Sequence, residues 1–182
     1  GVLTLLMKKF FYTLIILFGT MGSLQAETFI GYPIAPENTQ ISLLTCSPGD
    51  LIYELFGHTA IRIQDDSHKL DFVVNYGLFD FDQPHFVYRF VRGKTDYTVG
   101  VNYTRSFIQS YAERGSSITE STLNLTLAEK QDLLNRLSEN LQPENRIYRY
   151  NFIYNNCATK VRDIFDMSIK RKLSYPTHVD SY

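Results

Sequence analysis

Two runs, 58-HTAIRIQ-64 and 70-LDFVVNYG-77, constrain the fold of this chain more than any other part of it. Both are rich in β-branched and aromatic side chains, and only the polar 65-DDSHK-69 separates them. That pattern specifies a β-hairpin. Folding it about its centre brings His58 opposite Asn75 or Tyr76, to within one or two positions.

Further segments surround this hairpin. Residues 31–40, with two prolines, read as a loop or exposed arm. The run 41-ISLLTC-46 reads as a buried strand closed by the turn 47-SPGD-50. The stretch 51-LIYELFGH-58 gives an apolar helical turn or irregular segment ending at Gly57. Aromatic 78-LFDFDQPHFVYRFVRGK-94 has no clear assignment, and 96-DYTVGVNY-103 is a strand. Residues 105–115 predict a short helix with Gly115 at its C-cap, and 117-SITESTLNL-125 alternates as a strand. Thr126 and Glu129 form a capping box. It opens a helix whose stripe is Leu127, Leu134, Leu137 and Leu141, ended by Pro143. A Tyr- and Phe-rich strand follows over 146–154. Asn155 or Asn156 then caps a last helix over 157–168, with Val161, Ile164 and Phe165 turned inward. The whole is α+β: an antiparallel sheet of five or six strands with three or four flanking helices.

The start of the chain stands apart from this domain. Residues 7-MKKFFYTLIILFGTMGSLQA-26 have the basic, apolar and small-residue parts of a secretory signal. The apolar run is short for a membrane span. Residues 1–26 are therefore read as upstream sequence and signal, and 27–182 as one exported domain, expected to be cut short at its C-terminus. Export places the domain in a compartment where thiols oxidise. Losing the signal removes Lys8 and Lys9 from 18 basic residues and none of the 19 acidic ones, moving the formal charge from −1 to about −3. No basic field therefore invites nucleic acid.

The chain has two cysteines, Cys46 and Cys157. Cys157 stands at the predicted start of a helix, where unpaired N–H groups carry partial positive charge. A thiolate is stabilised there, and the thiolate is the nucleophile. Cys46 lies in an apolar strand. Of the four histidines, His68 sits in the hairpin turn, His178 in the tail and His85 in the aromatic loop. His58 follows Gly57, opens a strand, and has polar Asn75 near its cross-strand position. A thiol catalyst needs a base, and the base needs an orienting group. Cys157, His58 and Asn75 have those residue types. On residues alone three readings stay open: this triad, a Cys46–Cys157 disulfide, and two inert thiols.

Other constellations are weak. The histidines lack metal-ligand spacing, there is no phosphate-cradling glycine loop, and no cofactor is expected. Asp80 and Asp82 alternate with Phe and read more readily as a solvated strand face than as an acid pair. Arg89, Arg92 and Lys94 could receive a carboxylate or phosphate, or form ordinary surface charge. The tyrosines of 148-YRYNFIY-154 suit either a cleft beside Cys157 or the sheet core.

Several long runs resemble the Lnb-type N-terminal periplasmic domain, a bacterial family. They are 42-SLLTCSPGDLIYELFGHTAIRI-63, 75-NYGLFDF-81, 89-RFVRGKTDY-97, 122-TLNLT-126 and 143-PENRIYRYNFIYNNCATKVRD-163. More remotely, the Gly-His strand before an Asn-Cys helix resembles the circularly permuted NlpC-like and lecithin:retinol-acyltransferase-like cysteine enzymes. That resemblance implies a permuted papain-like core. It matches Cys157 to the nucleophile, His58 to the base and, by position alone, Asn75 to the third member, where many relatives carry histidine. It implies thiol hydrolysis or acyl transfer at an amide, ester or thioester bond of a cell-envelope peptide, lipid or glycan. Tyr76, Arg89, Tyr154 and Asn156 are expected to contact that substrate. The family's architecture implies association with a membrane part missing from this chain. The competing expectation is a non-catalytic periplasmic binding or accessory domain with both cysteines structural.

Overall fold

A computed structural model describes residues 28–49, 57–78, 95–149 and 154–170, with the single positions 85, 88, 89, 92 and 151. The predicted signal, the segment 51–56, Asp80, Asp82 and the tail with His178 lie outside the described residues.

Eight strands and three α-helices are described. The strands are β1 (Thr28–Phe29), β2 (Tyr32–Pro33), β3 (Thr39–Cys46), β4 (His58–Asp65), β5 (Leu70–Leu78), β6 (Asp96–Tyr103), β7 (Ile118–Thr122) and β8 (Ile147–Arg149). The helices are α1 (Thr104–Glu113), α2 (Leu127–Asn140) and α3 (Cys157–Ser168). β1 and β2 form a small hairpin; the other six strands make one antiparallel sheet in the order β7-β3-β4-β5-β6-β8. The α+β expectation therefore stands at the level of a six-stranded antiparallel sheet with three helices. The predicted arm over 31–40 is more ordered than expected. It holds β2 and a 3-10 turn at Pro36–Asn38, and Ile34 and Pro36 are buried.

Each face of the sheet has its own core because side chains alternate along a strand. One face carries Ile41, Ile61, Ile63, Phe72, Val74, Tyr76 and Val99, and packs with Leu133, Leu134 and Leu137 of α2 and Val161, Ile164 and Phe165 of α3. The other carries Leu44, Cys46, Ala60 and Val73 against Phe107 and Tyr111 of α1. Each fully buried aliphatic side chain contributes roughly 1.5–3 kcal/mol to holding a helix on its face. Two details of the predicted stripe change: Leu127, at the first turn of α2, is 53% exposed, and Leu133 takes a core position beside Leu134.

Local signals fix the ends of the helices. The Thr126–Glu129 capping box forms as expected, with Glu129 N–H donating to the Thr126 hydroxyl and the Glu129 carboxylate accepting from Thr126 N–H. Asn156 is the cap of α3, its Oδ1 accepting from Thr159 N–H at 2.9 Å. Within the strand predicted over 146–154, the described strand is β8, Ile147–Arg149. Asn151 and Asn155 then exchange both backbone hydrogen bonds. That bridge stands just before the start of α3.

Candidate functional site

Cys157, Val161, Ile164 and Ser168 lie on one stripe of α3, and the last three are buried. The stripe faces the sheet, so the first residue of the helix presents its thiol to the ends of β4 and β5. His58 opens β4 and is paired with Cys46 across the β3–β4 ladder. Gly57 stands before it at φ +69°, and a Cβ there would come within 2.6 Å of the Cys46 carbonyl oxygen. Only glycine fits that approach.

The β4–β5 register pairs Ile61 with Val74 and Arg62 with Val73. Asn75 therefore shares a face with Val73, the face that also carries Ala60 and His58. The His58 Nε2–H donates to Asn75 Oδ1, and Asn75 is 8% exposed. With Nε2 occupied as donor, Nδ1 is the ring nitrogen left to accept a proton.

Cys157 approaches His58 at the bulge in β5. The β5–β6 register shifts between Tyr76 and Leu78, and Gly77 has φ +94°. A Cβ built on Gly77 would lie 3.6 Å from Cys157 Cβ and 3.9 Å from His58 Cε1. The missing side chain thus marks the point where thiol and imidazole meet. The β4–β5 ladder begins only at Ile61 and Val74, so Thr59 N–H is not used by that ladder. It reaches the Cys157 thiol instead, as does Ala158 N–H from the first turn of α3. Burial raises the Cys157 pKa. The hydrogen bond and charge of His58 and the two N–H groups outweigh it, and the thiol ends below its ordinary value of 9.0.

Cys46 is the electrostatic opposite. Burial pushes it up to about 11, only partly opposed by a hydrogen bond from Tyr111 and the charge of Arg114. Both cysteines are free.

His58, Asn75 and Gly77 line a cleft of about 650 Å³ on the α1 side, together with Tyr111, Arg114 and Ser47 among others. That is a size that holds small ligands. The four residues expected to bind substrate fare differently. Tyr76 is 2% exposed, its hydroxyl accepting from Asn140 Nδ2 at 2.8 Å. Its neighbour Asn75 faces the cleft, so strand alternation sends Tyr76 into the opposite core. Asn156 commits its side-chain oxygen to capping α3. Tyr154 is 78% exposed, and Arg89 is half-buried with its N–H on the His85 carbonyl. None of the four lies in the described lining of the cleft, and neither does Cys157, which meets His58 behind Gly77. Sequence reading missed Gly77, Thr59, Tyr111 and Arg114. A glycine inside a strand is a usable bulge signal for the first; the others depend on tertiary placement. Among the described residues no three His, Cys, Asp or Glu side chains gather as a metal ion would need.

The family model of the Lnb N-terminal periplasmic domain matches residues 31–182, and the chain belongs to that family. No curated protein and no solved structure matches the chain. Among the described residues no helix is long and apolar enough to cross a membrane.

Proposed function

We propose that this Lnb-type N-terminal periplasmic domain is an exported thiol enzyme that hydrolyses or transfers an acyl group held in an amide, ester or thioester. One observation carries the reading. A thiol at the start of a helix is held below its ordinary pKa by an imidazole whose far nitrogen is fixed by a buried amide. That is the nucleophile, base and orienting-group relationship that covalent acyl transfer uses. The order of a histidine strand before a cysteine helix supports a permuted papain-like core.

His58 Nδ1 accepts the Cys157 proton, and Sγ attacks the substrate carbonyl carbon. The carbonyl π electrons move to oxygen, and N–H groups at the α3 start stabilise that charge. Collapse expels the amine, alcohol or thiol, which takes the proton from His58. The thioester on Cys157 is then attacked by water or another acceptor, with His58 accepting that proton and returning it to the Cys157 sulfur. Asn75 keeps the ring in the required tautomer throughout.

The test is the intact mass of the mature domain after exposure to an activated ester such as p-nitrophenyl acetate. An acyl adduct mapped to the Cys157 peptide, absent from Cys157→Ala, supports the reading. Equal ester turnover by both proteins contradicts it.

A further inference from the structure

The geometry points to Arg114 as the residue that receives an oxyanion of the substrate, in the cleft that His58 and Asn75 also line. This inference rests on the thiol-enzyme reading and adds the charge of the substrate to it. Arg114 follows the last residue of α1 and lies in the cleft wall. Its guanidinium carbon sits 4.0 Å from the centroid of the Tyr111 ring, and its Nε donates to the Ser110 carbonyl at 3.2 Å. A side chain stacked and tethered in this way has lost little further freedom to a ligand, which is what makes arginine effective in oxyanion recognition.

The neighbouring wall is hydroxyl-rich. Ser47, Ser106, Ser110 and Ser116 all line the cleft. Ser47 Oγ accepts from Ser117 N–H at 2.9 Å, so its own proton is directed elsewhere and suits an anionic oxygen. Glu113 is the one carboxylate in the described lining, and Gln109 Nε2 donates to it at 2.9 Å. The basic residues suggested by sequence, Arg89 and Arg92, do not line the cleft. Cys157 is not itself in the described lining, but the cleft of about 650 Å³ runs from Arg114 to His58 and Gly77, the two residues that meet Cys157. The oxyanion is a carboxylate or a phosphate; both present the same acceptor chemistry to arginine.

The experiment compares two thiol reagents on the mature domain, with labelling at Cys157 read by mass spectrometry. One is anionic, dithiobis-nitrobenzoate; the other is neutral, dipyridyl disulfide. The ratio of their rates is expected to fall on the order of tenfold in Arg114→Gln, to recover in Arg114→Lys, and to stay unchanged or rise in Glu113→Gln. In the wild type, either glycerol phosphate or N-acetylglycine is expected to slow the anionic reagent selectively. Which one does so identifies phosphate or carboxylate as the source. An unchanged ratio in Arg114→Gln, a ratio controlled by Glu113, or no competition by either anion overturns the assignment. If the neutral reagent labels Cys157 no faster than an ordinary thiol below pH 7, the thiol-enzyme reading itself fails, and that outcome is separate from the ratio.

Discussion

His58 and Asn75 are joined side chain to side chain across β4 and β5, with the imidazole Nε2–H donating to the amide oxygen. The bond fixes which ring nitrogen faces Cys157, so the amide acts on a thiol it does not touch. Replacing Asn75 by Ala leaves a half-buried His58 N–H without its acceptor, at a cost of about 1 kcal/mol. Acyl transfer is expected to fall on the order of tenfold to a hundredfold, with the pH profile of Cys157 alkylation moved upward. Asn75→His restores an acceptor nitrogen and is expected to recover part of both. Thermal unfolding separates the stability loss from the profile shift.

Gly77 carries a different demand. At φ +94° an L side chain costs about 1–2 kcal/mol, and the new methyl group would contact Cys157 and His58. Gly77→Ala is expected to lower the melting temperature and to slow alkylation of Cys157. Gly57→Ala is expected to be the more damaging, because its Cβ would sit 2.6 Å from the Cys46 carbonyl oxygen. Melting curves of the two variants side by side give the order.

The cap of α3 separates structure from charge. Asn156→Ala removes the acceptor for Thr159 N–H and is expected to cost roughly 0.5–2 kcal/mol. Asn156→Asp keeps a good cap but sets a negative charge beside the thiolate. It is expected to melt close to wild type while Cys157 alkylation at neutral pH slows, because the charge raises the thiol pKa. Chemical unfolding and alkylation rates on the same samples check both halves.

Acid sensitivity should trace to Asp65. Its side chain is fully buried and accepts from Ala35 N–H, from the backbone and hydroxyl of Ser67, and from the backbone and ring of His68. Burial raises its pKa, but those donors together hold it well below the usual carboxylate range. A depressed carboxylate stabilises the fold above its unfolded value of 3.8, and that contribution is lost as pH falls through the folded value. Unfolding midpoints measured from pH 6 downward are expected to drop in the wild type and to change much less in Asp65→Asn, which begins less stable at neutral pH.

Much of this fold is legible locally. The β4–β5 hairpin, the Thr126–Glu129 capping box, the asparagine cap of the last helix and the apolar stripe of α3 are written in short-range patterns, and the hairpin and the capped α3 are what bring His58 and Cys157 near one another. The choice between Asn75 and Tyr76 as the neighbour of His58 was less legible, because it depends on strand register. A shift of one position exchanges the two faces of β5, sending one side chain to the cleft and the other to the core. The contacts of Thr59 N–H depend on where a ladder stops, and Arg114 on how α1 lies over the sheet. No short window of sequence encodes either. Periodicity puts Leu127 on the core stripe of α2, but its side chain is exposed, and Leu133 is buried beside Leu134 and Leu137.

The central claim is that His58 activates Cys157. The most direct measurement is the pH dependence of iodoacetamide labelling at each cysteine of the mature domain, in wild type and His58→Ala. At neutral pH Cys157 is expected to label faster than an ordinary thiol, the His58→Ala profile to move up toward that of an ordinary thiol, and Cys46, pushed up to about 11, to stay unlabelled until the protein unfolds. Labelling of Cys157 that is slow below pH 8 and indifferent to His58, or a Cys46–Cys157 cross-linked peptide in the untreated protein, would contradict it.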